Sequence, residues 1–339
     1  MQYTQLGRTG LKVSRLCLGC MNYGPHTSEA EAHAQMDKAH ELGINFFDTA
    51  DVYGWKRGEG VTEQIIGNFF AKGGGRRERT ILATKVFGDM NLDELDHTMK
   101  RGLSAVKIRR ACEGSLRRLK TDYIDLYQMH HIARECPWDE IWQAMETLVQ
   151  QGKIIYVGSS NFPGWCIAAA CETARQRHFL GLVSEQCKFS LACRFSELEV
   201  LPAAQKYGLA VIPWSPLDGG ILGGILSRQD KGRTAGKMAQ ERLARLRPQV
   251  EAFEAFCREI GHPPGEVALA WTLHHPAVTA PIIGPRTMDQ LLGCVRALEL
   301  KLDESQLRAL DRIFPGPKGP TAEGISDWSK QVAPEAYAW

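Results

Sequence analysis

No stretch of this 339-residue chain is apolar for long enough to cross a bilayer. The opening residues, MQYTQLGRTGLKVSRL, lack the apolar core of a signal peptide. A strong charge of either sign is missing too: 41 Lys and Arg stand against 39 Asp and Glu, for a net charge of +2. So neutral a chain offers little to a nucleic acid or an anionic membrane. Its basic pieces, GGGRRERT and KIRRACEGSLRRLK, read as a loop and a solvated helix face. Low-complexity segments and domain linkers are absent, and one domain over 1–339 is expected. A zinc site lacks ligands: Cys17-Leu18-Gly19-Cys20 is a CxxC, but no second CxxC completes it, and it closes a strand instead of opening a helix. The 10 cysteines are scattered, and a chain this long needs no disulfide staples, so a reduced, cytoplasmic setting is expected.

What is present is alternation. Eight short apolar runs read as strands: 14–19, 44–50, 80–86, 124–130, 154–160, 182–189, 209–216 and 278–284. Amphipathic segments between them read as helices: 29–41, 62–71, 105–119, 138–151, 164–176, 196–206, then 238–260 with 265–275. Two further helices, 287–297 and 304–313, follow the last strand. Strands apolar on both faces, each leading into a helix, point to a parallel sheet, and eight such units point to an α/β fold of the (β/α)8 TIM-barrel type. YTQLGRTGLKVS ahead of the first strand suggests a β-hairpin plugging the barrel, and the Pro- and Gly-rich stretch 314–339 suggests an ordered tail near the pocket. A doubly wound sheet competes, but LGCMNYG after the first strand is not the GxGxxG that such a fold would carry there.

In a barrel the chemistry sits at the C-terminal ends of the strands. FFDTADVYG (46–54) ends an apolar run in a carboxylate, Asp48, which is costly to bury unless it meets a partner. Lys85, at the end of the next strand, is that partner. Tyr53 follows Asp48 by five residues, and a phenol beside an ammonium gives up its proton more readily. His130 closes the fourth strand and can orient the same reacting oxygen. Tyrosine, lysine, carboxylate and histidine together suit protonation of a carbonyl oxygen as hydride reaches its carbon. Hydrolysis is a poor fit, because no nucleophile stands beside a base.

These segments resemble the aldo-keto reductase family, and its potassium-channel β-subunit-like branch in particular. The likeness runs through LGRTGLKVSRLCLGCMNYG, GINFFDTADVYG, ATKV, IDLYQMHH, YVGSSNF, IPWSPLDGGILGG and APIIGPRT. It implies a barrel that reduces an aldehyde or ketone with NADPH. It implies Tyr53 as general acid, Lys85 and Asp48 as its tuning pair, and His130 as the group that orients the carbonyl. It further implies Ser160, Asn161 and Gln186 on the nicotinamide carboxamide, with Trp214 stacked on the ring. Ser215, Pro216, Leu217, Gly219 and Gly220 match the pyrophosphate loop. Arg286 matches the 2′-phosphate cation, with Gln290 a turn beyond. Gly19, Cys20, Met21 and Gly284 complete the expected cofactor site, for NADP(H) in preference to NAD(H). Gly293 and Cys294 stand where the family often has an acid and an Asn against adenine, Cys20 where it often has Thr, and Lys188-Phe189 where an apolar residue and Tyr are expected.

Tyr23, Trp55, His131, Trp165 and Trp328 are the candidate pocket residues, an aromatic lining suited to a carbonyl compound of some bulk. Two other readings are carried: an NADP(H)-binding regulatory subunit with little turnover, and a zinc enzyme using His130, His131 and cysteines. Lys85 argues against the zinc. No nucleic-acid or membrane partner is expected, and a homo-oligomer is compatible with the sequence.

Overall fold

Eight parallel strands run in the order of the chain in a computed structural model that describes residues 1–90, 97–227 and 233–317. They are β3 (Cys17–Gly19), β4 (Phe46–Asp48), β5 (Ile81–Val86), β6 (Ile124–Met129), β7 (Ile154–Ser160), β8 (Leu182–Gln186), β9 (Ala210–Val211) and β10 (Ile282–Ile283). β10 pairs back onto β3. Between β9 and β10 the Thr279 N–H donates to the Val211 carbonyl (2.9 Å) and the Ile282 N–H to that of Pro213 (2.8 Å), so the sheet closes on itself as a (β/α)8 barrel. The helices are α1 (Glu29–Glu41), α2 (Val61–Ala71), α3 (Ala105–Leu119), α4 (Trp138–Gln150), α5 (Gly164–Gln176), α6 (Val200–Lys206), α7 (Lys237–Glu259), α8 (Pro264–His274), α9 (Met288–Arg296) and α10 (Glu304–Ile313).

All eight expected strands and the expected helices are present, with differences at their ends. β9 and β10 are shorter than expected because Pro213, Pro216 and Pro281 have no N–H to give a ladder. The first barrel strand starts at Cys17, since Ser14 belongs instead to a hairpin of β1 (Tyr3–Gln5) and β2 (Lys12–Ser14). The expected helix 196–206 begins as a 3-10 turn at Phe195–Glu197 and becomes α-helical only at Val200. Local signals hold the helix starts: Ser28 and Glu31 form a capping box on α1, the kind of device worth about 1 kcal/mol.

Period-two alternation sets what faces the barrel axis. Phe46, Ile81, Ala83 and Leu126 pack in one apolar cluster with Leu6 and Val13 of the hairpin, which therefore plugs the bottom. Gly7, at φ +56°, turns the hairpin so tightly against the barrel that a Cβ there would stand 2.5 Å from the Val183 carbonyl oxygen. Two residues on along the same strands, the inward positions become Asp48, Lys85 and Gln128, all buried. The same alternation that builds the apolar floor thus places polar groups above it.

Candidate active site

Asp48 and Lys85 meet as neighbouring strand ends should. The Lys85 ammonium donates to Asp48 Oδ2 (2.6 Å), to the Thr49 carbonyl (2.8 Å) and to the Tyr53 hydroxyl (3.2 Å). Burial works to lower the Lys85 pKa, but Asp48 and then Tyr53 outweigh it, and the lysine stands above its ordinary range. The other carboxylate oxygen of Asp48 accepts from Gln128 Nε2 (3.0 Å) and Gln186 Nε2 (2.8 Å). The buried carboxylate is therefore fully met, the condition under which a buried charge is tolerated. Gln128 carried no assigned role from sequence, although it shares a face with His130 two residues on.

Tyr53 reaches the ammonium through a turn after β4 in which its N–H donates to the Ala50 carbonyl (3.2 Å), and the chain then bends away at Gly54 (φ +114°) and Trp55 (φ +61°). The left-handed backbone at Trp55 is unfavourable for so bulky a residue, and its ring is 61% exposed beside Tyr53. The Tyr53 ring meets that of His130 edge-on at 5.9 Å, and His131 stacks on His130 at 4.9 Å. Burial first, then Lys85 and His131, hold the His130 pKa well below its ordinary value. The imidazole is thus neutral at pH 7, with one ring N–H available as a donor.

Around this centre the strand ends are tied together. Asn161, left-handed at φ +59°, donates to the His130 carbonyl (3.1 Å) and accepts from Trp214 Nε1 (3.0 Å). Ser160 donates to the Gln186 carbonyl (2.9 Å). Beyond Trp214, four residues of the loop carry positive φ: Ser215 (60°), Asp218 (46°), Gly219 (71°) and Gly220 (102°). The curl is closed by its own bonds: the Asp218 N–H donates to the Ser215 carbonyl (2.8 Å), the Gly219 N–H to the Ser215 hydroxyl (3.0 Å) and the Gly220 N–H to the Leu217 carbonyl (2.9 Å). Asp218 pins the loop from within, paired with Arg242 (2.5 Å) and Lys188 (3.4 Å). Arg286 is half-buried, its N–H donating to Gln290 Oε1 (2.8 Å), while Asn22 donates to the Gly284 carbonyl (2.9 Å).

A family model for the aldo/keto reductases matches residues 15–314. The chain belongs to the aldo/keto reductase family. It is 52% identical over 339 residues, covering the whole of both chains, to the uncharacterised oxidoreductase YrpG of Bacillus subtilis (strain 168). It is 30% identical to a versiconal hemiacetal acetate reductase of Aspergillus parasiticus, covering 93% of this chain and 97% of that one. It is 32% identical to a putative voltage-gated potassium channel subunit beta of Schizosaccharomyces pombe, covering 91% and 92%. Membership makes the chain an oxidoreductase of small carbonyl compounds that works with a nicotinamide cofactor.

The remaining expected site residues of this reductase are scattered more widely. Tyr23 is a correction: it is a core residue and lines no pocket, its ring unexposed and its hydroxyl donating to Gln35 of α1 (3.4 Å). The β3–α1 loop folds inward there, because Thr62 of α2 donates to the Tyr23 carbonyl (2.9 Å). Cys20, expected against the cofactor, is instead wholly buried with its thiol on the Leu18 carbonyl (3.6 Å), and a Cβ on Gly19 would collide with Ile282 of β10. His131 is exposed at the rim, and Trp165 is 58% exposed on the first turn of α5. Trp328 and most of the 314–339 tail lie outside the described residues. Gly293 and Cys294 sit on α9 beside an ion pair of Arg296 with Glu266 of α8 (2.7 Å). All 10 cysteines are free, and burial pushes both Cys17 and Cys20 well above the ordinary thiol range, so neither is a ready thiolate. Among the described residues no cluster of His, Cys, Asp and Glu could hold a metal ion, and no helix is long and apolar enough to cross a membrane.

Asp51 and Glu185 are buried acids to which the sequence assigned no role. Asp51, two residues before Tyr53, has no side-chain partner for either carboxyl oxygen among the described residues. Burial, reinforced by Glu63, pushes its pKa up to about 7 against the opposing pull of Lys107 and Arg118. Glu185 of β8 is likewise pushed by burial to about 7.

Proposed function

We propose that this reductase transfers hydride from NADPH to an aldehyde or ketone, with Tyr53 as the general acid. The observation that carries the reading is the Lys85 ammonium, shared between Asp48 and the Tyr53 hydroxyl. When bound, the nicotinamide supplies the hydride; the chain's own residues manage the proton. Tyr53 gives its proton to the carbonyl oxygen, and the ammonium 3.2 Å away stabilises the phenolate left behind. Asp48 keeps Lys85 charged and aimed. Neutral His130 donates its ring N–H to the same oxygen and fixes its direction. Trp55 and His131, exposed at the rim, would flank a bulky substrate.

The residues fit the cofactor. Both N–H groups of the Asn161 amide are engaged, to His130 and Ser160, but its oxygen keeps a free lone pair beyond the Trp214 bond. Gln186 likewise spends its N–H groups on Asp48 and Gln128 and keeps its oxygen as an acceptor. Two acceptors suit a carboxamide NH2. Gly219, with open space where a Cβ would stand, lets a pyrophosphate come close to the 215–220 backbone, and the forked donors of Arg286 suit a 2′-phosphate.

The test is NADPH oxidation with a panel of aldehydes and ketones, run beside NADH. Turnover is expected with at least one carbonyl compound, and kcat/KM for NADPH should exceed that for NADH by roughly tenfold or more, the scale of hydrogen bonds to a charged group. Equal use of the two would remove Arg286 from its role. Tight NADPH binding without turnover on any carbonyl compound would favour a regulatory subunit, the direction in which the channel-subunit relative points.

A further inference from the structure

We propose that Glu185 is a positioning residue of this site: its buried carboxylate fixes the turn after β7 so that Asn161 can hold His130 and Trp214 together. The proposal rests on the reading of that turn as part of the cofactor site. Glu185 makes no hydrogen bond to Tyr53 or to the side-chain amides of Asn161 and Gln186, and the backbone of Asn161 is among the groups that favour its charged form. It accepts instead from the Ser159 hydroxyl (2.5 Å) and from the Phe162 N–H (3.1 Å), one on each side of the Ser160-Asn161 pair. Its own strand reinforces the grip, since the Asn161 N–H donates to the Gln186 carbonyl (3.0 Å).

The consequence falls on Asn161. Asparagine tolerates the left-handed region better than most residues, and the turn still has to be held there. One carboxylate holds it from both flanks. The side chain so aimed bridges the end of β6, through the His130 carbonyl, and the residue beyond β9, through the Trp214 indole. Three strand ends that carry the site thus take their relative placement from a turn anchored on β8.

A carboxylate is required because both groups aimed at it are donors. An ionised carboxyl accepts at both oxygens, whereas an amide must turn its NH2 toward one of the donors. The titratable groups facing Glu185 are the Cys166 thiol of α5 and the Cys187 thiol of its own strand, each pushed to about 12 and so uncharged. Protonation of Glu185, whose burial-raised pKa is about 7, removes one acceptor near neutral pH.

The experiment is Glu185→Gln, read by the 15N–1H resonance of the Trp214 indole, which is identified by its loss in Trp214→Phe. In the wild-type protein that resonance should titrate with a midpoint of about 7, following Glu185. In E185Q it should be displaced and cease to titrate. NADPH Kd should rise about tenfold, the scale of one hydrogen bond to a charged acceptor, while kcat at saturating cofactor changes less. An E185Q protein with the wild-type indole resonance and the wild-type NADPH Kd overturns the proposal, whatever its stability. If E185Q fails to fold, Ser159→Ala removes one of the two donors and should move the same resonance in the same direction. Should the wild-type chain bind neither NADPH nor NADH, the cofactor reading fails, and the indole resonance alone decides the role of Glu185.

Discussion

Tyr53→Phe is expected to lower kcat by roughly a thousandfold while leaving NADPH Kd unchanged, which is the scale of a lost general acid. The substitution removes one oxygen and keeps the ring, so its edge contact with His130 at 5.9 Å survives. Lys85 keeps its bonds to Asp48 and the Thr49 carbonyl, and the buried charge stays compensated. What disappears is the phenolic proton held beside the Lys85 ammonium, 3.2 Å from it. His130 is a poor replacement, because its pKa is already depressed and its neutral N–H is a far weaker acid than an imidazolium. Steady-state kinetics on the best carbonyl from the panel, with cofactor binding measured separately, decides the matter. Full activity in Tyr53→Phe would remove Tyr53 from the mechanism.

Lys85→Met should destabilise the fold by about 3–5 kcal/mol, the measured range for breaking a buried ion pair from one side. Asp48 would keep two amide donors, from Gln128 and Gln186, but no cation. Both partners are almost wholly buried, with side-chain exposures of 0% for Lys85 and 4% for Asp48, so water cannot make up the loss. The double variant Lys85→Met/Asp48→Asn should recover much of the stability and none of the activity, because the amide needs no counter-ion but cannot keep a proton donor aimed. Urea unfolding of the three proteins separates these terms. A single variant as stable as the parent would mean that the pair is not buried in solution.

The barrel was legible because its strands are largely apolar and alternate with amphipathic helices, some of which carry a start signal, such as Ser28 and Glu31 on α1. Strand ends were less legible. They depend on which N–H groups find a partner, and the prolines around β9 and β10 withdraw theirs. At the site, Asp48 announced a partner because it closes an apolar run, and Lys85 sits in the equivalent place on the neighbouring strand. Gln128 and Glu185 did not announce themselves. Their roles arise from registers between strands, such as Ser159 opposite Glu185, which no local pattern encodes. Tyr23 misled because a loop after a barrel strand normally faces the pocket, and only the contacts with Gln35 and Thr62 reveal that it turns inward.

The orphaned Asp51 and the clamped Glu185 also make folding a proton-binding reaction. Their carboxyls leave ordinary values of 3.8 and 4.5 and reach about 7 in the native chain. Between those limits the folded molecule holds protons that the unfolded chain has released. The sign follows: this contribution is complete below about pH 4 and is lost as pH rises toward 7, by up to about 1.4 kcal/mol per pH unit for each group. Urea midpoints should therefore fall between pH 5 and 7, and the fall should flatten in Asp51→Asn; an unchanged slope would show that Asp51 is ionised inside the fold. The segment that presents Tyr53, the proposed general acid, is thus most firmly built on the acid side of neutrality, and each round of unfolding in neutral buffer returns protons to the solvent.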